Sequence, residues 1–277
     1  MSTIYDAFDF GYDPRTSEAL RPKPAPSLAT PPSTATVNPS FLPPIGKQTM
    51  PNCFVWSSAY GAATFWAAQS SNTSPTTSNL QASPDYTYIQ VEMADNVVSG
   101  TCVGGQITKV LSFLESNNGT PSLQAAPNNQ TCAENWTAYG PQGSTIAPGS
   151  PSFAIPGYLS TTVTGPDGLN NMRAFIASGI PLAYGTYLYT DFPTYNGAAT
   201  PYIGSGIYLV NKNTGVLAGH CMLIIGYNDD YRGPDGSIGA VYIQNSFGTD
   251  WGSDGYVWMA YPTFQAMAQG SAFYIAG

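Results

Sequence analysis

Charged side chains are scarce in this chain. Asp, Glu, Lys and Arg make up 9% of its 277 residues, whereas about a quarter is usual for soluble proteins. The eight basic residues form no cluster and the net charge is −8. A phosphate-binding surface needs several Lys and Arg side chains close together. We therefore expect no nucleic-acid partner and no attraction to an anionic membrane.

Long apolar runs are also missing. No stretch approaches the ~20 apolar residues that span a bilayer, so we expect no membrane insertion. The start, MSTIYDAFDFGYDPR, lacks the basic and apolar regions of a secretory signal. Either a signal has been removed, or export uses another route, or the protein stays inside. The low charge and the Ser, Thr and Asn content favour an extracellular or virion setting.

Cysteine and histidine are few. The four cysteines, at 53, 102, 132 and 221, include no CxxC pair, whereas four-cysteine zinc sites usually draw on two close pairs. One disulfide and two thiols fit the count better, and we predict neither a metal nor another cofactor. His220 is the only histidine, so any imidazole chemistry depends on it. A histidine at a strand end is more often structural than catalytic.

Apolar and aromatic residues are plentiful, at 43% and 13%. They predict a folded chain with a sizeable core, either one large domain or two closely packed lobes, and we expect a monomer. Residues 1–44 are rich in proline, which excludes a long helix there. This segment is a strap along the back of the domain, a short inhibitory segment in a cleft, or a flexible linker.

Helical patterns fill the first half of the chain and strand patterns the second. The run 53–68 predicts a buried helix with Asn52 as its N-cap, and further helices are predicted at 106–117 and 168–178. After Gly179, short β-branched and aromatic runs predict antiparallel strands. Their ranges are 180–189, 206–210, 220–228, 240–247 and 255–261. The sequence thus predicts an α+β fold of two lobes.

Cys53 stands where the first buried helix begins. A helix N-terminus stabilises an anion, and a neighbouring imidazolium lowers the pKa of a thiol further. Cys53 and His220 would then form a thiolate–imidazolium pair, which is a ready nucleophile. Taken alone, a buried cysteine is more often an inert core residue.

Four sequence blocks occur in the order found in one known family. QTMPNCFVWSSAYGAA, SGTCVGGQ, GHCMLIIGYNDD and QNSFGTDWGSDGYVWM resemble motifs of the papain-like cysteine peptidases. LRP at 20–22 and FLPPIGKQ at 41–48 resemble the lead-in of bacterial members, and no long helical propeptide precedes Cys53. The resemblance implies a peptidase domain over 45–277. Its helical lobe would cover about 45–150 and its β lobe about 151–277, with the active-site cleft between them.

The resemblance also assigns roles. Cys53 would be the nucleophile, His220 the general base and acid, and Asn245 the residue that orients the imidazole. Gln48 would bind the oxyanion together with the backbone amide of Cys53. A polypeptide substrate would contact Gly104, Gly105, Gly185, Ala218, Gly219, Cys221 and Trp251. The small residues 185, 218 and 221 predict a deep apolar pocket for a bulky or aromatic side chain.

Several positions depart from the family pattern. Phe54 and Phe247 stand where tryptophan is usual, and Gln48 lies five residues before Cys53 instead of six. The cysteine that normally pairs with Cys102 is missing, so Cys102 is free or paired elsewhere. We expect a Cys102–Cys132 disulfide, closing a loop of about 30 residues and contributing roughly 3–4 kcal/mol in the entropic model.

Three functions remain open at this level. The first is a cysteine endopeptidase that forms an acyl-enzyme on Cys53. The second is a papain-like protein that binds peptides or has a structural role with weak or no catalysis, which the altered aromatic residues and the shorter Gln48 loop would suit. The third is another acyl transfer, such as deamidation or transpeptidation.

Overall fold

A computed structural model describes residues 11–13, 19–26, 30–116, 119–143, 146, 152–211 and 215–277. Three aromatic residues near the start of the N-terminal segment, Tyr5, Phe8 and Phe10, lie outside these residues. In the described ranges, helices dominate up to residue 139 and strands dominate from residue 158 onward. None of the helices described is long and apolar enough to cross a bilayer.

The helices lie mainly in the first half. They are α1 (Cys53–Val55), α2 (Thr64–Ser71), α3 (Pro84–Ala94), α4 (Ile107–Ser116), α5 (Cys132–Tyr139), α6 (Gly168–Ala177) and α7 (Tyr261–Met267). A π-helical stretch, Trp56–Ala63, joins α1 to α2, and we call the continuous run from 53 to 71 the Cys53 helix. Every residue of the π-helical stretch is buried. This agrees with a sequence that carries neither charge nor proline there.

The strands form one antiparallel sheet. They are β1 (Thr34–Thr36), β2 (Tyr158–Thr162), β3 (Leu182–Tyr187), β4 (Gly219–Arg232), β5 (Ile238–Gln244), β6 (Tyr256–Ala260) and β7 (Ala268–Ile275). Their order is β2-β7-β3-β4-β5-β6, and β1 pairs with β4 off this path. The long strand β4 pairs with β1, β3 and β5, and its first nine residues are all buried. The Cys53 helix packs against β4, so the two halves meet where Cys53 and His220 lie.

Local sequence signals explain the helix starts. The Ser83 hydroxyl accepts from the backbone N–H of Tyr86, and Pro84 occupies the first turn of α3. Thr131 and Glu134 form a reciprocal capping box at α5. The predicted role of the Asn52 side chain is wrong, because it makes no capping bond to the Cys53 helix. It donates instead to Asp85 Oδ1 at 3.0 Å.

The predicted helices at 106–117 and 168–178 are confirmed within one or two residues as α4 and α6. The strand predicted over 206–210 is wrong, since this segment makes only isolated bridges through Tyr208 and Val210. Gly204 and Gly206 have positive φ, and the side chain of Ile207 is 64% exposed. This segment turns at its glycines and has no face of buried side chains, so it does not add a strand to the sheet.

Candidate active site

Cys53 opens the Cys53 helix and is fully buried. The backbone carbonyl of Asn52 accepts from the amides of Val55 and Trp56, at 2.9 and 3.1 Å. Cys53 therefore lies in the first turn, at the N-terminal end of the helix. This geometry favours negative charge at position 53.

His220 is the second residue of β4 and pairs in register with Thr186 of β3. Its Nε2 lies 2.7 Å from Oδ1 of Asn245, which follows the end of β5. Asn245 Oδ1 also accepts from the backbone N–H of Ser246 at 2.8 Å. Two donors on one oxygen fix the amide plane, and through it the plane of the imidazole.

The ionisation of Cys53 is set by opposing effects. Burial raises the pKa of the thiol, whereas the Cys221 side chain lowers it by hydrogen bonding, and His220 lowers it through its charge and a hydrogen bond. A further hydrogen bond from the Cys221 backbone acts in the same direction. The resulting pKa of Cys53 is about 6, down from 9.0. At neutral pH the sulfur is therefore mainly a thiolate, the reactive form of cysteine.

Aromatic rings cover the His220–Asn245 pair. Phe247 stacks on the imidazole with ring centroids 4.7 Å apart, and Trp251 packs against the edge of Phe247 at 5.6 Å. The indole N–H of Trp251 donates to the carbonyl of Phe192 at 3.0 Å, which fixes the ring. Phenylalanine at 247 thus retains the apolar cover over the ring, and Trp251 packs against that phenylalanine.

Gln48 reaches the site through the segment after β5. Its backbone N–H donates to the carbonyl of Ser246 at 2.8 Å, and its Oε1 accepts from the Ser246 hydroxyl at 2.7 Å. Nε2 donates one hydrogen to the Met50 carbonyl at 3.0 Å. The second hydrogen of Nε2 remains for a ligand, because an amide nitrogen carries two.

A buried carboxylate supports the turn that leads into Cys53. Asp85 Oδ1 accepts from Asn52, and its Oδ2 accepts from the backbone N–H of Asn129 at 3.0 Å. Burial raises the pKa of Asp85 to about 6, although these bonds act in the opposite direction. Asp85 is not among the residues that the sequence predicted for the site. The available signal was a carboxylate in the first turn of a largely apolar helix.

The Cys102–Gly105 turn packs against Phe54, the residue that follows Cys53. A Cβ on Gly105 would lie 2.6 Å from the Phe54 ring, so only glycine allows the turn to approach this closely. The predicted disulfide between Cys102 and Cys132 is confirmed, with a Cα–Cα separation of 6.0 Å. It ties the turn to the start of α5. Cys53 and Cys221 form no disulfide.

Comparison with known proteins matches this arrangement. The model of the papain family of cysteine proteases matches residues 52–274, which include Cys53, His220 and Asn245. The chain belongs to the papain family of cysteine proteases. The family and the α+β fold predicted from the motifs are thereby confirmed.

Individual members of the papain family show partial similarity. Fruit bromelain of Ananas comosus is 32% identical over 170 residues, which are 61% of this chain and 40% of that protein. Cathepsin B-like CP2 of Giardia intestinalis is 31% identical over 156 residues, 56% of this chain and 46% of that protein. The matches thus span less than half the length of either relative.

Solved structures of papain-family proteins share the fold. Xylellain, a cysteine protease from Xylella fastidiosa, has a TM-score of 0.67 and 22% identity, and the match covers 97% of this chain and 96% of that one. Digestive procathepsin L2 of Tenebrio molitor has a TM-score of 0.70 and 18% identity, with 100% and 81% coverage. At these identities the likeness concerns the fold alone.

Residues 11–13 lie against the predicted substrate-binding residues. Gly105 donates its N–H to the carbonyl of Gly11 at 2.8 Å and accepts from the N–H of Asp13 at 3.1 Å. Tyr12 donates its N–H to the carbonyl of Gly219 at 3.4 Å. The pairing with Gly105 is parallel, and that with Gly219 is antiparallel. A short piece of the N-terminal segment thus crosses the groove beside Cys53.

The side chain of Tyr12 packs on Gly185 of β3. A Cβ on Gly185 would lie 2.5 Å from Cζ of the Tyr12 ring, so the phenol rests directly on this glycine. Gly185 pairs in register with Cys221, and both are buried, as is Ala218. The predicted position of a pocket floored by small residues therefore holds an aromatic ring of the chain itself. The alternatives for residues 1–44 included a short inhibitory segment in a cleft, but no pattern in the sequence predicted the contact of Tyr12 with Gly185.

Proposed function

We propose that this chain is a cysteine peptidase in which Cys53 attacks the substrate carbonyl. The observation that carries the proposal is the contact of Cys53 with His220, whose Nε2 is held by Asn245 at 2.7 Å. With Nε2 engaged, Nδ1 is the ring nitrogen left for the sulfur. Thiolate, imidazolium and orienting amide are the three parts that nucleophilic acyl transfer needs.

The reaction follows from the positions of these groups. The Cys53 sulfur adds to the carbonyl carbon, and the oxyanion accepts hydrogen bonds from the Cys53 backbone amide and the second Nε2 hydrogen of Gln48. The imidazolium of His220 gives its proton to the leaving amine, and the peptide bond breaks to leave a thioester on Cys53. His220 then takes a proton from a water molecule as the water oxygen adds to the thioester carbon. The C–S bond breaks, which releases the carboxylic acid and restores the Cys53 thiolate beside the His220 imidazolium.

Labelling of the four cysteines tests the proposal. An epoxysuccinyl inhibitor should modify Cys53 alone, and mass spectrometry of the intact and digested protein identifies the residue. The rate should fall as the pH drops through about 6, because protonation of Cys53 removes the thiolate. Labelling confined to Cys221, or a rate that is flat between pH 5 and about 8, would contradict the assignment.

Product analysis separates hydrolysis from other acyl transfers. A defined peptide incubated with the protein should yield two shorter peptides by mass spectrometry. Conversion of a glutamine side chain, or joining of two peptides, would assign Cys53 to deamidation or transpeptidation instead. Labelling of Cys53 without any peptide product would favour a peptide-binding role.

We also propose that residues 11–13 inhibit the peptidase by occupying its groove. The backbone groups of Gly105 and Gly219 that pair with this segment are those that an extended substrate would use. The segment continues into a strap in which residues 21–23 pair with Ser160 of β2. Arg21 forms an ion pair with Glu115 at 2.8 Å, and this contact also holds the strap.

The substitution Tyr12→Ala should increase kcat/KM for a peptide substrate by roughly 10- to 100-fold, since a half-buried aromatic ring would leave its place on Gly185. The gain should lie mainly in KM, because the segment competes with substrate. Tyr231→Ala, at the far end of β4, is the matched control and should leave KM unchanged. Equal kinetics for the Tyr12 variant and the parent would refute inhibition by this segment.

A further inference from the structure

A small cavity lies directly behind the orienting amide of the site. It has a volume of about 10 Å³ and lies between the Cys53 helix and strands β4 and β5. Trp56, Gln244 and Asn245 contribute to its lining, as do Cys221 and Ser246. This volume matches the space that a single water molecule needs in a protein interior.

Three polar atoms from the lining residues lack a hydrogen-bond partner among the residues that the structure describes. They are Nε1 of Trp56, Oε1 of Gln244 and Nδ2 of Asn245. The three residues are 5%, 6% and 4% exposed, so bulk solvent does not reach these atoms. Buried polar groups in folded proteins nearly always have a partner, either in the protein or in an ordered water.

The donor and acceptor types identify the ligand. Trp56 Nε1 and Asn245 Nδ2 are donors, and Gln244 Oε1 is an acceptor. One water accepts two hydrogen bonds and donates one to this set. A cation would face two N–H groups, and an anion would face a carbonyl oxygen, so neither suits the lining.

The lining side chains are fixed from outside the cavity. Gln244 Nε2 donates to the carbonyl of Pro43 at 3.3 Å, which leaves Oε1 as the free end of its amide. Gly46 packs so closely on the Trp56 ring that a Cβ there would overlap it. The Trp56 ring also rests on Tyr60, with centroids 4.8 Å apart. The side chains of Gln244 and Trp56 are therefore both held in place by contacts outside the cavity.

We propose that this cavity binds one structural water, which bridges Trp56, Gln244 and Asn245. The water keeps the Asn245 amide oriented with Oδ1 towards His220. Trp56 and Gln244 are then positioning residues that act on the imidazole through Asn245. The catalytic part of this inference depends on the proposed peptidase function, whereas the water site itself does not.

The two ends of the Asn245 amide, Oδ1 and Nδ2, are similar in size, so hydrogen bonds must determine which end faces His220. A flipped Asn245 would place its NH₂ against the backbone N–H of Ser246, which now donates to Oδ1 at 2.8 Å. It would also turn Oδ1 towards the cavity and leave Nε2 of His220 without its acceptor. The Ser246 amide and His220 thus select the productive orientation, and a water that accepts from Nδ2 gives the other end of that amide its buried partner.

A crystal structure of the Cys53→Ala protein, at a resolution that shows ordered water, tests the site without reference to activity. We expect a density peak within about 3.2 Å of all three polar atoms. An empty cavity, or a peak that contacts only one of them, would overturn the proposal. This result stands whether or not Cys53 proves to be a nucleophile.

Kinetics of Trp56→Phe test the positioning role. Loss of the indole N–H should lower kcat about tenfold, as expected for one hydrogen bond, with KM unchanged. The pH at which thiol labelling is half-maximal should also rise, because a misaligned imidazole stabilises the thiolate less. Trp66→Phe removes an indole N–H from the same helix outside the cavity lining and should change neither quantity.

Gln244→Met provides a second variant that keeps the length of the side chain. It should show the same loss of kcat with an unchanged KM, and thermal unfolding should confirm that it folds. Equal kcat values for the parent and both cavity variants would refute the positioning role. A water in the crystal together with inactive parent protein would instead point to failure of the proposed function.

Discussion

Replacing Cys53 with alanine should lower peptide hydrolysis by at least about ten-thousand-fold, the scale of effect seen when an enzyme loses its nucleophile. The sulfur is fully buried beside His220, and its pKa of about 6 makes it the reactive thiol at neutral pH. Steady-state hydrolysis of a fluorogenic peptide, with the parent and variant at equal concentration, measures the loss.

The control for this substitution is the fold. Cys53→Ala removes one sulfur atom and leaves the Cys102–Cys132 disulfide in place, so circular dichroism and gel filtration should match the parent. Cys53→Ser tests the same point with a side chain of similar size. Full hydrolysis by either variant would show that another group performs the chemistry.

The second large effect is expected from His220→Ala. This change removes the charge and the hydrogen bond that lower the pKa of Cys53, so burial dominates and the pKa rises. At neutral pH the sulfur would then be mostly a thiol, and the leaving amine would have no proton donor. We expect hydrolysis to fall by at least about a thousandfold.

The pH dependence of labelling distinguishes this effect from misfolding. For the parent, the thiolate is lost as the pH falls through about 6. For His220→Ala, the half-maximal rate should move to a higher pH, with slow labelling at neutral pH. A midpoint that stays near 6 would mean that His220 does not stabilise the thiolate, and that the Cys221 hydrogen bonds suffice.

Much of the site could be predicted from the sequence because its parts are local. The start of a helix, the start of a strand and the end of a strand place Cys53, His220 and Asn245, and each lies in a short motif. The α+β division follows from the periodicity of the apolar residues. The disulfide could be predicted because the cysteine that usually pairs with Cys102 in the family is missing, which left Cys132 as the expected partner.

The remaining features depend on contacts between distant segments. Tyr12 meets Gly185 across more than 170 residues of chain, and no local pattern records such a contact. Asn52 has the sequence of an N-cap, but the buried carboxylate of Asp85 attracts its amide instead. The run 206–210 has strand propensity, but its neighbouring glycines turn the chain away from the sheet. Tertiary context overrides propensity in each case.

The groove beside Cys53 depends on the redox state of a second sulfur group, the Cys102–Cys132 disulfide. This disulfide ties the turn that carries Gly105 to α5. The indole N–H of Trp136 in α5 donates to the carbonyl of Thr101 and holds the same turn. A reducing agent strong enough to break this disulfide would loosen the turn that carries Gly105 and would leave the Cys53 thiol unchanged. A reducing agent that returns an oxidised Cys53 to the thiol is therefore useful only up to a limited strength. Beyond that strength it also breaks the Cys102–Cys132 disulfide.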